Sequence, residues 1–213
     1  MALRTFVKIS EVNNLSDARY CAGMGVDLIG FCLDPTNPKA VTPEQFTEIT
    51  GWIAGVKLVG EFYESSALII KELLDSYPVN YVQISNIQEL DYLSTINIPV
   101  ILNVDLSRLE EPEHLIKSVE ESASRVAYFL LTNGGQDADE EIYDKFLSEI
   151  NHITKDHQVL LGFAISAENV LSKITDTSIA GIALQGGDEI KPGYKDYDEL
   201  ADILEALEID DME

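Results

Sequence analysis

Side chains able to move a proton or hold an anion recur in this chain at the ends of short apolar runs. They are Ser10 and Glu11, Asp34 to Lys39, Tyr63 and Glu64, Ser85 and Asn86, Asn103 and Asp105, Thr132 to Gln136, Ala164 to Ser166, and Gln185 to Glu189. Glu11, Asp34, Glu64 and Asp105 are candidate bases, because a carboxylate in a partly apolar mouth can be tuned to take a proton. Two later groups have a different chemistry. Gly162-Phe163-Ala164 and Gln185-Gly186-Gly187 end the last two apolar runs. Glycine lets backbone N–H groups come close to an anion, and a short helix opening at 188–190 would aim its positive end there. These turns are the expected phosphate site. Asp188 and Glu189 oppose it, since carboxylates beside a phosphate repel it, while Lys191 and Lys195 lie close enough to compensate. No metal site is expected: His114, His152 and His157 fall in or beside helical patterns rather than at the ends of the apolar runs.

The elements that must position these groups are legible from hydrophobic pattern. Eight strand-like runs occupy 5–9, 27–33, 56–62, 79–84, 99–104, 126–131, 159–164 and 179–184. Most are continuously apolar, as strands buried on both faces are. Helical patterns alternate with them at 15–23, 43–53, 65–76, 112–121, 139–150, 167–174 and 197–207, with a weak one at 88–93. Ser16 and Asp17 offer capping chemistry for the first helix. Thr42, Pro43 and Gln45 predict an N-cap, a first-turn proline and a capping box for the second. Strand–helix units repeated eight times predict a single-domain (β/α)8 TIM barrel over residues 1–213, with an acidic tail at 208–213. An open doubly wound sheet is the rival, disfavoured because no glycine-rich dinucleotide turn follows the first strand. In a barrel, the chemistry sits at the C-terminal ends of the strands, where the groups above lie.

Composition narrows the partners. The chain has 38 acidic and 14 basic residues, a formal charge of -24, and 46% apolar residues, ample for a continuous core. Such a charge repels nucleic acid and anionic lipid, so neither is an expected partner. Cys21 and Cys32 form no CxxC motif, and no apolar run approaches membrane-spanning length. A reducing, cytoplasmic setting without disulfides is expected. Cys21 reads as a helix packing residue, and Cys32 has no histidine partner in view.

Motifs in chain order then resemble one family. Val7-Lys8-Ile9-Ser10 resembles the Lys-Ile-Cys-Gly opening of phosphoribosylanthranilate isomerases, and Gly25-Val26-Asp27-Leu28-Ile29-Gly30-Phe31 their Gly-Ala-Asp-x-Ile-Gly-Phe. The segment from Pro35 to Gln45 resembles Pro-x-Ser-Pro-Arg-x-Val-Ser-Pro-Glu-Gln. Val59-Gly60-Glu61-Phe62 is similar to Val-Gly-Val-Phe, Val82-Gln83-Ile84-Ser85 to Val-Gln-Leu-His, and Pro192-Gly193-Tyr194-Lys195-Asp196 to Pro-Gly-x-Lys-Asp. Gly162 to Ala164 with Asn169-Val170 resembles Gly-Gly-Leu-x-x-x-Asn-Val.

The resemblance implies a cofactor-free Amadori rearrangement of a phosphoribosyl amine in tryptophan biosynthesis, and a small phosphorylated metabolite as ligand. It also implies a cysteine base after strand one and an aspartate acid after strand six. Those positions are Ser10 and Thr132 here. The substrate-binding positions are Lys39 for arginine, Ser85 for histidine and Ala183 for aspartate. Glu11 stands for a glycine, and Gln185-Gly186-Gly187 for Ser-Ser-Gly. An unassisted hydroxyl supplies almost no base at neutral pH, and threonine cannot act as a carboxylic acid. The resemblance therefore predicts a relative of the isomerase with impaired or altered activity, or an inert barrel that binds a sugar phosphate in a regulatory or assembly role.

Overall fold

Eight parallel strands close into a barrel in chain order, with the first strand paired to the eighth. The computed structural model describes residues 2–135, 139–185, 189–191, 194–195 and 198–209. The strands are β1 Phe6–Ser10, β2 Leu28–Cys32, β3 Lys57–Phe62, β4 Tyr81–Ile84, β5 Val100–Asp105, β6 Tyr128–Thr132, β7 Val159–Leu161 and β8 Gly181–Gln185. The helices are α1 Leu15–Gly23, α2 Pro43–Thr50, α3 Ala67–Leu74, α4 Leu90–Leu93, α5 Glu113–Ser122, α6 Asp139–Ile153, α7 Val170–Thr177 and α8 Asp198–Ala206. Among the described residues no helix is long and apolar enough to cross a membrane.

Alternation within each strand sorts the side chains. Val7 and Ile9 of β1 join the large core between barrel and helices, with Ile29, Phe31, Leu102 and Leu131. The opposite parity fills the barrel: Leu28, Val59, Ile101, Leu130, Leu160 and Ala183 pack with Phe6, Tyr81, Tyr128 and Ala180. Phe6 stacks on Tyr128 at 5.2 Å between ring centroids, sealing the lower end. The interior is thus a filled core, and access is from the top.

Local chemistry explains most element ends. Thr42 and Gln45 form the expected capping box on α2, with Pro43 in its first turn. The cap of α1 differs from expectation: Asn14 accepts from the Asp17 N–H, one turn ahead of the Ser16–Asp17 pair. Strand β7 stops at Leu161 rather than 164, because Ala164 turns to φ 55, outside the extended region. The segment expected to open a short helix is instead a strand, β9 Glu189–Lys191, antiparallel to β10 Tyr194–Lys195. The sequence places Pro192-Gly193 directly after it, and proline cannot continue a helix.

Candidate functional site

The C-terminal strand ends surround an open cavity of about 1100 Å3. Its lining includes Ser10, Ser85, Thr132, Gly162, Phe163, Ala164, Ala183 and Gln185. Most of the residues singled out in the sequence therefore meet in one place. Lys39 stands apart at the rim, in a side recess with Asn13 and Asn14. Gly186 and Gly187 lie outside the described residues.

The floor is polar because the inward parity of five strands, β1 and β3 to β6, changes character near the top. Lys8 of β1 and Glu61 of β3 are both fully buried and form a direct ion pair inside the barrel. Lys8 Nζ also donates to Ser10 Oγ at 2.7 Å, and Glu61 Oε2 accepts from the Glu11 N–H at 3.0 Å. Gly30 makes room for this pair: a Cβ there would lie 2.1 Å from Glu61 Oε1 and 3.1 Å from Lys8 Nζ. Two buried charges are tolerable only when paired and hydrogen-bonded, as these are. The pair was missed in the sequence, although a glutamate within the apolar third strand was its signal.

Beside it runs a chain of neutral groups. Thr132 Oγ1 donates to Asn103 Oδ1 at 3.0 Å, and Asn103 Nδ2 donates to Ser85 Oγ at 3.2 Å. Gln83 is only 3% exposed and lines the cavity, and its Oε1 has no hydrogen-bond partner among the described residues. Cys32 is buried against the barrel interior; burial first, then the carboxylates of Glu61, Glu11 and Asp34, push its thiol up to about 11. It remains a neutral thiol near neutral pH.

The four candidate carboxylates separate by environment. Asp34 is structural: its Oδ2 accepts from the N–H groups of Tyr63, Glu64 and Ser65, and its Oδ1 from Thr36. Burial works against its charge, but the bonds from Glu64, Thr36 and Ser65 win and hold its carboxyl below the usual range. Asp105 is occupied by Ser107 and Arg108. Glu64 is exposed at the rim. Glu11 is the one held over the cavity: Tyr63 donates to it at 3.0 Å and Lys39 at 2.8 Å. Burial, with Glu61 and Glu11 nearby, pushes the Tyr63 hydroxyl far above its usual range, so it remains a donor.

Glu11 also sits at φ 55, a left-handed conformation that costs a non-glycine residue roughly 1–2 kcal/mol. Its salt bridge to Lys39, whose side chain is 63% exposed, returns little of this. Glu11→Gly is therefore expected to raise the melting temperature by about 2–4 °C, the shift for roughly 1 kcal/mol in a chain of this size. A drop in melting temperature would show that the Tyr63 and Lys39 contacts outweigh the strain.

The described half of the expected phosphate turn holds a carboxylate already. The Ala164 N–H donates to Asp139 Oδ2 at 3.1 Å, and Asn133 Nδ2 donates to Asp139 Oδ1. Two residues further on, the Ser166 N–H is taken by Asn169 Oδ1 at 2.8 Å. Among the described residues no group of His, Cys, Asp and Glu is arranged to hold a metal ion.

A closed (β/α)8 barrel with a polar cavity at its C-terminal mouth defines the class: a TIM barrel open at the strand ends, where enzymes of this fold carry their chemistry. Comparison with known proteins makes it specific. A sequence model of the N-(5'-phosphoribosyl)anthranilate (PRA) isomerase family matches residues 7–206, and the chain belongs to that family. The N-(5'-phosphoribosyl)anthranilate isomerase of Aquifex aeolicus is 26% identical over 205 residues, covering 93% of this chain and 96% of that protein. The enzyme of Maridesulfovibrio salexigens is 23% identical over 202 residues, covering 94% and 97%. Among solved structures, phosphoribosyl anthranilate isomerase of Thermotoga maritima superposes with a TM-score of 0.75 at 21% identity, covering 95% of this chain and 98% of that one. The Pyrococcus furiosus enzyme does so at 0.72 and 18%, with the same coverage.

Proposed function

We propose that this family member has a working ligand site at the barrel mouth but does not isomerise phosphoribosylanthranilate efficiently by the family's acid–base pair. The observation that carries this is the bonding of Ser10 and Thr132. Ser10 Oγ accepts a proton donor, the Lys8 ammonium, and Thr132 Oγ1 spends its proton on Asn103. Neither is paired with a group that would make it a base or an acid. A general acid or base typically contributes 10²–10⁴-fold, so the loss of both removes useful turnover by that route. The remaining site residues keep a binding role in this proposal: Lys39 at the rim, and Ser85, Ala183, Gly162, Phe163 and Gln185 around the cavity.

A second reading is an enzyme with Glu11 as base. What favours it is the strained backbone and cavity-facing carboxylate, since strain of this kind concentrates at functional sites. Steady-state assay of the purified chain with phosphoribosylanthranilate separates the readings. Turnover orders of magnitude below a working isomerase is the expected result. Normal kcat/KM, or rescue of a tryptophan auxotroph lacking the enzyme, would sink the proposal. Appreciable turnover that is abolished by Glu11→Gln would establish the second reading instead.

A further inference from the structure

We infer that the barrel mouth takes an unphosphorylated, hydroxyl-rich ligand, neutral or cationic, because Asp139 occupies the backbone donor on which a phosphate would sit. The inference rests on the mouth being a ligand site, as proposed above, and deepens it by naming the ligand's charge class.

The first support is the turn after β7. In barrels of this type a phosphate is held by backbone N–H groups of the turns after the last two strands. Here the Ala164 N–H donates to Asp139 Oδ2, and the Asn133 side chain fixes the other carboxylate oxygen. Asn133 is itself held in place by the Gly135 N–H at 2.9 Å. The arrangement is an internal anion on an anion-binding amide, supplied by the first residue of α6. A phosphate arriving there would have to displace that carboxylate and then sit beside it.

The second support is the charge around the cavity. Its described lining carries the carboxylates of Glu11, Glu64, Asp105, Asp139, Asp198 and Glu199 against the Arg108 guanidinium, which is bound to Asp105, and the Lys39 ammonium, which reaches Glu11 from the rim. Fields of one sign in a cleft are focused by its low-dielectric walls, so a phosphate dianion is repelled before it reaches the floor. The chain's charge of -24 acts in the same direction.

The third support is the floor. Ser10, Gln83, Ser85, Asn103 and Thr132 are uncharged, and Gln83 Oε1 is a buried acceptor with no partner among the described residues. A buried acceptor left without a donor destabilises the state that buries it. It is relieved by a hydroxyl or an ammonium, which donate, and not by the phosphoryl group of a doubly ionised phosphate monoester, which only accepts. The chemistry that fits is a sugar or an amino sugar without its phosphate.

Isothermal titration with inorganic phosphate tests the inference without reference to any turnover. The unmodified protein is expected to give no binding at millimolar phosphate. Asp139→Ala, which frees the Ala164 N–H and removes one charge, is expected to bind at least tenfold more tightly than the unmodified protein. Asp139→Asn keeps an oxygen for that amide and removes only the charge, so it should fall between the two. Binding of phosphate by the unmodified protein at or below millimolar dissociation constant overturns the inference. So does a natively melting Asp139→Ala protein that binds none. If that variant does not fold, Asp139→Asn decides: a several-fold gain supports the role of Asp139, and no gain overturns it. Weak isomerisation with clear phosphate binding would leave the proposed function standing and remove this inference alone.

Discussion

Glu61→Val is expected to cost this protein about 3–5 kcal/mol of stability, the price of leaving a buried charge without its partner. For a chain of this size that is a fall in melting temperature on the order of 10 °C. The argument starts from Lys8, which is fully buried and touches Glu61 and Ser10 inside the barrel. Without Glu61 its ammonium keeps one hydroxyl and no counter-charge. Lys8→Met strands Glu61 in the same way, its carboxylate still accepting from the Glu11 N–H but without a counter-charge, and should cost about as much. The rescue is specific. Ala183 of β8 is the register partner of Lys8 and is buried beside it. The isomerase pattern that this sequence resembles has an aspartate at 183 and a valine at 61. An aspartate at 183 would face Lys8 from the adjacent strand on one side of β1, whereas Glu61 reaches it from β3, two places away on the other. Ala183→Asp added to Glu61→Val should recover most of the lost stability in a thermal melt. A double variant no better than the single one would show that Lys8 cannot be served from β8 in this barrel.

Ser10→Cys combined with Thr132→Asp should raise kcat for phosphoribosylanthranilate by at least 10²-fold, the smaller end of what one restored acid or base contributes. A thiol at position 10 would lie beside the Lys8 ammonium, 2.7 Å from the present oxygen, and a nearby cation favours thiolate. A carboxyl at position 132 would stand next to Asp105, its register partner on β5. A like charge there favours the protonated form, which is what a general acid requires. Recovery should be incomplete. Lys39 lacks the two-pronged geometry of arginine, and Asp139 on the Ala164 N–H keeps KM high. Adding Asp139→Ala should then lower KM without a comparable change in kcat. An unchanged kcat in the double variant, with binding of substrate demonstrated, would mean that Ser10 and Thr132 are not what limits the chemistry.

The barrel was legible because its signals are local and repeated. Continuous apolar strands such as 27–33, the Thr42–Gln45 capping box and the spacing of eight units all act within a few residues, and each is found as expected. The convergence of Ser10, Ser85, Thr132 and Gly162 on one cavity follows from topology alone, since parallel strands place all their C-terminal ends together. What escaped the sequence depends on contacts between distant segments. Asp139 reaches Ala164 across 25 residues, and Lys8 reaches Glu61 across 53. No periodicity encodes such pairs. Asp34 shows the same limit from the other side: near a strand end it looks like a catalytic carboxylate, and only its three backbone donors from the next loop reveal a structural tie. Glu189–Lys191 is a strand where helix-opening chemistry alone points to a helix, and the proline that follows it in the sequence cannot continue one.

For a barrel starting from the resembled pattern, with an aspartate at 183 and a valine at 61, the ion pair inside the barrel would restrict the order of change. A sequence that lost the acid on β8 before gaining one on β3 would have passed through a form with an orphaned lysine, several kilocalories less stable than its ancestor. The passable route runs through a form carrying both acids, with glycine already at position 30, where any side chain would collide with the new glutamate. Such an ancestor would have kept Lys8 paired throughout while the acid on β8 became dispensable. Freedom to lose that acid, once the glutamate was in place, is a route by which a barrel can leave its inherited reaction without ever leaving its fold.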